Sequence, residues 1–160
     1  MKRCREIPIL LTLAVLGLAG QLTGQADNIL GWYWAPAKDG IVEIYKNGNT
    51  YEGRTIWILK PLTDHHNPDP AKRHHSLLGM VYLKGFVYRN GEYVNGTIYN
   101  PDNGNTYSAK LWMEGEHVMM RGFIGISLIG KTERLESADE CRRDMEECIE
   151  YSRDAVGGNR

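Results

Sequence analysis

Much of the usual functional repertoire is missing from this chain of 160 residues. Beyond its first few residues no basic run exceeds two side chains (Lys72-Arg73, Arg142-Arg143). Phosphate binding needs clustered cations, so nucleic acid is excluded as a partner. There is no Cys-x-x-Cys, no recognised zinc spacing, no glycine loop that opens a helix to cradle phosphates, and no pair of carboxylates at a catalytic interval. No motif implies a cofactor. "GISLIG" (Gly125 to Gly130) resembles a nucleophile elbow, but it has one residue too many and no helix follows, so it reads as a strand with tight bends. After residue 26 no apolar stretch approaches the length of a membrane helix, so no membrane span is expected.

What is present begins with an export signal. Lys2, Arg3 and Arg5 precede the apolar run Ile7 to Ala19, and the small-x-small site Gly24-Gln25-Ala26 follows. This is the three-part layout of a secretory signal peptide, residues 1–26, and no cysteine follows that would take a lipid anchor. The expected location is therefore the periplasm or the extracellular space. Cleavage after Ala26 leaves 134 residues, enough for one domain with a core. It removes three basic residues and one acidic, leaving 16 against 19, a charge that bears on solubility alone.

The stretch 27–135 is punctuated by Asp39-Gly40, Asn47-Gly48, Asn90-Gly91, Asn103-Gly104 and Glu114-Gly115. Such pairs supply the positive φ of tight hairpins. Between them lie segments rich in aromatic and β-branched residues, and Tyr107, Ala109, Leu111 and Met113 alternate onto one face. "YKNGNTYEG", "YRNGEYVNG" and "DNGNTYSA" are one hairpin recipe used three times. About eight antiparallel strands result, with "GWYWAP" first and "SLIGKTERL" last. An open sheet of that kind would leave two unpaired edges, and curling into an up-and-down barrel removes them. Gly53, Gly79, Gly85, Gly96 and Gly122 suit the bends and bulges of closure. A β-sandwich is the competing architecture.

Five stretches then stand out together: "ILGWYW", "GIVEIYKNGNTYEGRTIWI", "DHHNPDP" with Arg73 and "LLGMVYLKGF", "NGTIYNPDNGNTYSAKL", and "RGFIGISLIGKT". In these the chain resembles a family of exported bacterial proteins designated domain of unknown function 2147 (DUF2147). The resemblance spans Ile29 to about Thr132 and implies a lipocalin-like (calycin-type) barrel. It implies no activity. Asp64, Asn67, Pro68 and Asp69 are its most specific residues. The chain departs from the family pattern at His75-Ser76, where Arg-Pro is usual, and past Thr132, where a helical tail replaces an expected tryptophan.

The one long gap between strands is "TDHHNPDPAKRHH", Thr63 to His75. Asn67-Pro68-Asp69-Pro70 forms a stiff turn that Asn and Asp side chains can support through backbone amides. Asp64, Asn67, Pro68, Asp69 and Arg73 are accordingly assigned to a self-supporting loop, or to a lid over one barrel mouth. An alternative is a metal site, which would need one histidine of each adjacent pair, His66 and His75, to converge with Asp69. Trp57, Tyr82, Tyr99 and Tyr107 are candidate pocket aromatics, with Arg121 or Lys84 as an inward cation. Alternation does not decide which face is inward, because several strands are apolar on both.

Ser137 to Glu140 reads as a capping box, starting a helix over 136–156, with residues 157–160 as a flexible tail. Ala138, Cys141, Met145, Cys148 and Ala155 form a narrow apolar stripe. Seven residues of helix place Cys141 and Cys148 about 10.5 Å apart, beyond the ~4.4–6.8 Å Cα reach of a disulfide. The expectation is free thiols against the barrel, or pairing between two chains in a homodimer. The leading functional reading is a non-enzymatic barrel that binds a small, largely apolar ligand. The alternatives are an envelope interaction module acting through the tail and a metal-dependent hydrolase using the histidine loop.

Overall fold

The computed structural model describes residues 24–157. The predicted signal segment lies outside these apart from Gly24, Gln25 and Ala26, as do the last three residues of the predicted flexible tail.

Eight strands follow one another: β1 (Gly31–Trp34), β2 (Gly40–Asn47), β3 (Thr50–Ile58), β4 (Val81–Arg89), β5 (Glu92–Asn100), β6 (Asn105–Glu114), β7 (His117–Phe123) and β8 (Gly130–Leu135). They form one antiparallel sheet in sequence order, as the hairpin signals predict. Asn90 and Gly91 take φ of 51° and 87°, both positive as a two-residue hairpin demands. Asp39-Gly40 is the exception. Gly40 already pairs in β2, and the left-handed residue of that turn is Lys38 (φ 60°), whose amide bonds the Ala35 carbonyl. At the far end, Ser127 to Ile129 belong to a loop rather than to the last strand.

The sheet curls into a half-barrel. β1 and β8 form no ladder with each other. Instead the residues just past β8 meet β1: the Trp34 amide donates to the Glu136 carbonyl at 2.9 Å, and the Ala138 amide to the Trp32 carbonyl at 2.8 Å. Curling is possible because glycine removes side chains where the interior would collide. A Cβ on Gly96 would sit 2.4 Å from the Phe86 ring, and one on Gly53 2.6 Å from Leu83.

The interior is packed solid at one end only. Ile29, Tyr33, Ile44, Tyr51, Leu83, Phe86, Tyr93, Leu111, Val118 and Leu135 are buried there. Each such side chain contributes roughly 1.5–3 kcal/mol of burial. The chain just before β1 seals that end. Tyr51 donates to the Asp27 carboxylate at 2.6 Å and Tyr33 to the Ile29 carbonyl at 3.0 Å, while Tyr93 donates at 2.7 Å to the carbonyl of Ala26, the last residue of the expected signal segment.

A second buried cluster lies on the outside of β1–β3: Trp34, Ile41, Ala138, Cys141 and Cys148, with Trp32, Ile56, Trp57 and Met145 against it. This is why both faces of the early strands are apolar. The tail covers the outer one. It is not the single helix predicted from the capping box. Asp139–Arg142 is a 3-10 turn, the chain breaks at Arg143-Asp144, and α1 runs Met145–Gly157. The Ser137 hydroxyl accepts from the Asp139 amide, not from that of Glu140. The effective cap is Asp144, whose carboxylate accepts from the Glu146 and Glu147 amides, both at 3.1 Å. The break brings the Cys141 and Cys148 Cα atoms to 5.7 Å, and the two form a disulfide within the chain. This corrects the expectation of free or interchain cysteines, which assumed an unbroken helix. The apolar stripe, apart from exposed Ala155, faces the chain's own barrel. Tyr151 lies 5.4 Å from Trp34, and the buried Ser152 hydroxyl donates to the Lys38 carbonyl at 2.6 Å. No helix among the described residues is long and apolar enough to cross a membrane.

Candidate functional site

At the unsealed end the half-barrel holds a cavity of about 710 Å³. Its walls come from the interior positions of successive strands: Val42 on β2, Thr55 on β3, Tyr82 on β4, Ile98 on β5, Tyr107 on β6, Met120 and Gly122 on β7. The β6 alternation read from sequence is thus the interior face, with Ala109 and Leu111 in the packed half and Tyr107 in the open half. Burial alone raises the Tyr82 phenol above its ordinary range, so it stands in the wall as a neutral hydroxyl. Polar groups gather at the mouth: Asp39, Asn100, Asp102, and on β8 the ion pair of Lys131 with Glu133. Leu62, Leu77, Ile124 and Ile129 add apolar side chains to the rim.

The long loop between β3 and β4 supplies Leu62 and Leu77 to that rim. Its ends pair through a bridge from Thr63 to Ser76 and through the Leu77 amide on the Leu62 carbonyl. Within it the predicted turn is present and self-supporting. Asn67 accepts from the Asp69 amide at 2.9 Å, and Asp69 accepts from the Ala71 amide at 3.1 Å. That amide bond and Lys72 hold the Asp69 carboxyl below its usual range. Pro68 leads into this turn and Pro70 starts the 3-10 turn Pro70–Lys72. Arg73 donates from Nε to the Asn67 carbonyl at 2.9 Å.

Asp64 anchors the loop to the barrel. It is 1% exposed, and its carboxylate accepts from the Tyr99 hydroxyl at 2.6 Å and from the Asn67 amide nitrogen at 2.5 Å. Desolvation and that carboxylate push the Tyr99 hydroxyl up to about 12. Gly104, in the β5–β6 turn (φ 71°), lies so close to the loop that a Cβ would fall 2.0 Å from the His66 carbonyl oxygen. One aspartate and one glycine therefore join two connections into a single wall.

Of the candidate residues, Tyr82, Tyr99 and Tyr107 line the cavity, and Asp64, Asn67, Pro68, Asp69 and Arg73 build the adjoining loop. Trp57 does not reach it. That ring packs edge-on to Trp34 at 6.2 Å beneath the tail. Arg121 points outward and holds the β7–β8 loop, donating to the Ser127 and Leu128 carbonyls at 2.7 and 3.2 Å. Lys84, on the outer side of β4, is exposed. His65 and His66 stack on each other, with ring centroids 4.0 Å apart, and all four loop histidines are exposed. Among the described residues, His66, His75 and Asp69 do not converge on one point. Three metal-ligating atoms among the described residues come together only at Glu140, Cys141 and Cys148, where the disulfide occupies both sulfurs. The sequence reading missed Val42, Ile98, Met120 and the β8 pair. The interval Lys131, Glu133, Leu135 marked the inner face of that strand, but with polar residues where apolar ones were sought.

The family model for DUF2147, described as an uncharacterized protein conserved in bacteria, matches residues 31–136. The chain belongs to this family. In this DUF2147 protein the matched region covers all eight strands and the whole cavity wall, while α1 and the disulfide lie beyond it. A search among curated proteins returns no match. Among solved structures, this DUF2147 chain is similar to protein HP1028 from Helicobacter pylori, described as belonging to the lipocalin family. The TM-score is 0.63 at 20% identity, over 81% of this chain and 96% of that one. At such identity the likeness concerns the fold, which is lipocalin-like.

Proposed function

We propose that this DUF2147 protein is an exported, non-enzymatic carrier that takes a small, largely apolar ligand into the open end of its half-barrel. The observation that carries the reading is the unfilled interior. The same curl that is packed solid at its Tyr51–Tyr93 end leaves about 710 Å³ at the other, floored by Val42, Ile98 and Met120. That volume falls within the ~300–1,000 Å³ of small-molecule pockets. Polar groups at the mouth match a ligand whose head stays near water while its body enters. The loop tied down by Asp64 serves as a fixed wall of the entrance and holds Leu62 and Leu77 against the ligand.

Gly122→Leu tests this. A Cβ there meets only Ile98 and Tyr107 at 3.8 Å, ordinary contact, so a longer side chain is accommodated by occupying the cavity. Titration with 1-anilinonaphthalene-8-sulfonate should show saturable binding to the wild type and at least about tenfold weaker binding to the variant, with unchanged circular dichroism. Mass spectrometry of the protein purified natively should find an apolar passenger only in the wild type. Equal probe binding by both proteins defeats the carrier reading.

A further inference from the structure

The loop between β7 and β8 presents a surface that water does not favour. Within six residues Ile124, Ile126, Leu128 and Ile129 are exposed by 72, 60, 84 and 70%. Nothing between Phe123 and Gly130 carries a charge. Part of the loop's backbone is bonded internally: Arg121 takes the Ser127 and Leu128 carbonyls, and the Ile129 amide bonds the Ile126 carbonyl at 3.1 Å. Each carbonyl paired in this way is one fewer to strip of water when the tip enters the interfacial layer of a bilayer. At the loop's base Lys131, 84% exposed, is held in its ion pair with Glu133, so the apolar tip itself carries the approach to lipid. Ile124 and Ile129 also form part of the cavity rim, so the apolar tip and the apolar interior are continuous.

We infer that this loop docks the protein, mouth first, on a lipid bilayer, and that the cavity exchanges its ligand with the membrane. The second half rests on the carrier reading above, and the docking stands by itself. A protein partner fits the loop less well, because protein hot spots are enriched in Trp, Tyr and Arg, and here the exposed tip offers only aliphatic chains. Membrane insertion scales with the apolar area immersed.

The test uses the chain as cells process it, in two forms. Leu128→Trp places a reporter on a side chain that makes no packed contact. With vesicles of brominated phosphatidylcholine and phosphatidylglycerol, its emission, taken as the difference from the parent protein, should shift to the blue and be quenched. Ile126→Glu with Leu128→Glu should lower vesicle partitioning at least about tenfold and leave probe binding to the cavity without vesicles unchanged. An unquenched signal from the Leu128→Trp reporter, or equal partitioning by the double variant, overturns docking. So does a concentration-dependent dimer that the double variant abolishes, since the loop would then serve a second copy. Quenching without any cavity binding defeats the carrier reading alone, and cavity binding without quenching defeats docking alone.

Discussion

Reducing the Cys141–Cys148 bond should loosen the tail and spare the barrel. The bond closes a ring of eight residues around the chain break at Arg143-Asp144. Cross-linking a ring that short restricts the open chain by about 2.5 kcal/mol at 25 °C on the chain-entropy account. Applied to tail docking, this corresponds to a roughly 60-fold change in the opening equilibrium. It is an upper value, because the Ala138–Trp32, Trp32–Asp139 and Ser152–Lys38 hydrogen bonds survive reduction. Hydrogen exchange read by mass spectrometry before and after a phosphine reductant gives the direct measure. Amides of α1 should lose protection by up to that factor, while those of β4–β7 keep theirs. Trp34, 2% exposed beneath Tyr151, should report the same opening as a red shift in emission. The oxidised protein should run as a monomer on non-reducing gels and show no reactive thiol at these positions. Unchanged α1 protection, or a disulfide-linked dimer, would refute the clasp.

Asp64→Ala leaves the Tyr99 and Asn67 donors without their shared acceptor in a buried setting, and should cost about 1–3 kcal/mol in urea unfolding; an unchanged midpoint would show that the loop does not need its anchor. Gly96→Ala drives a methyl into the Phe86 ring and should destabilise by about 1–3 kcal/mol, whereas Gly122→Ala, with its nearest contacts at 3.8 Å, should be nearly silent by the same thermal melt. Because the Tyr99 hydroxyl is raised to about 12, the folded state holds that proton more tightly than the unfolded chain, where tyrosine titrates near ~10. The stabilisation it provides is complete below that unfolded value and is lost as pH rises through about 12. Proteolysis of the loop should quicken across that window in the wild type, and Tyr99→Phe should lessen the quickening, the raised phenols of Tyr33 and Tyr82 remaining in place.

The strand order was legible because it is written in local chemistry. Asn90-Gly91 can hardly be anything but a tight turn, and Tyr107, Ala109, Leu111 and Met113 keep their alternation to the letter. Direction was harder. Trp57 and Tyr82 look alike in sequence, yet one lies under the tail and the other in the cavity wall, because the tail gives β1–β3 a second buried face. The helix break escaped notice since Ser137 to Glu140 imitates a start and the Arg142–Glu146 spacing imitates continuity. The cap in use is Asp144, ahead of Glu146-Glu147. The burial of Asp64 depends on Tyr99, thirty-five positions away, and no local pattern encodes such a meeting. Arg121 drew attention as an inward cation; the alternation that sends Met120 and Gly122 inward sends it out.

Every ladder in the sheet joins strands adjacent in sequence, so each hairpin can form as soon as its own residues are available, with little loop-closure entropy to overcome except across the long β3–β4 loop. The seam between β1 and Glu136–Ala138, with the docking of the tail on β1–β3, must wait for the far end of the chain. Assembly should therefore run as a zipper that finishes with one slow latch. A chain stalled before that latch would expose Trp34 and Ile41 together with an unpaired strand edge, the species from which aggregates grow.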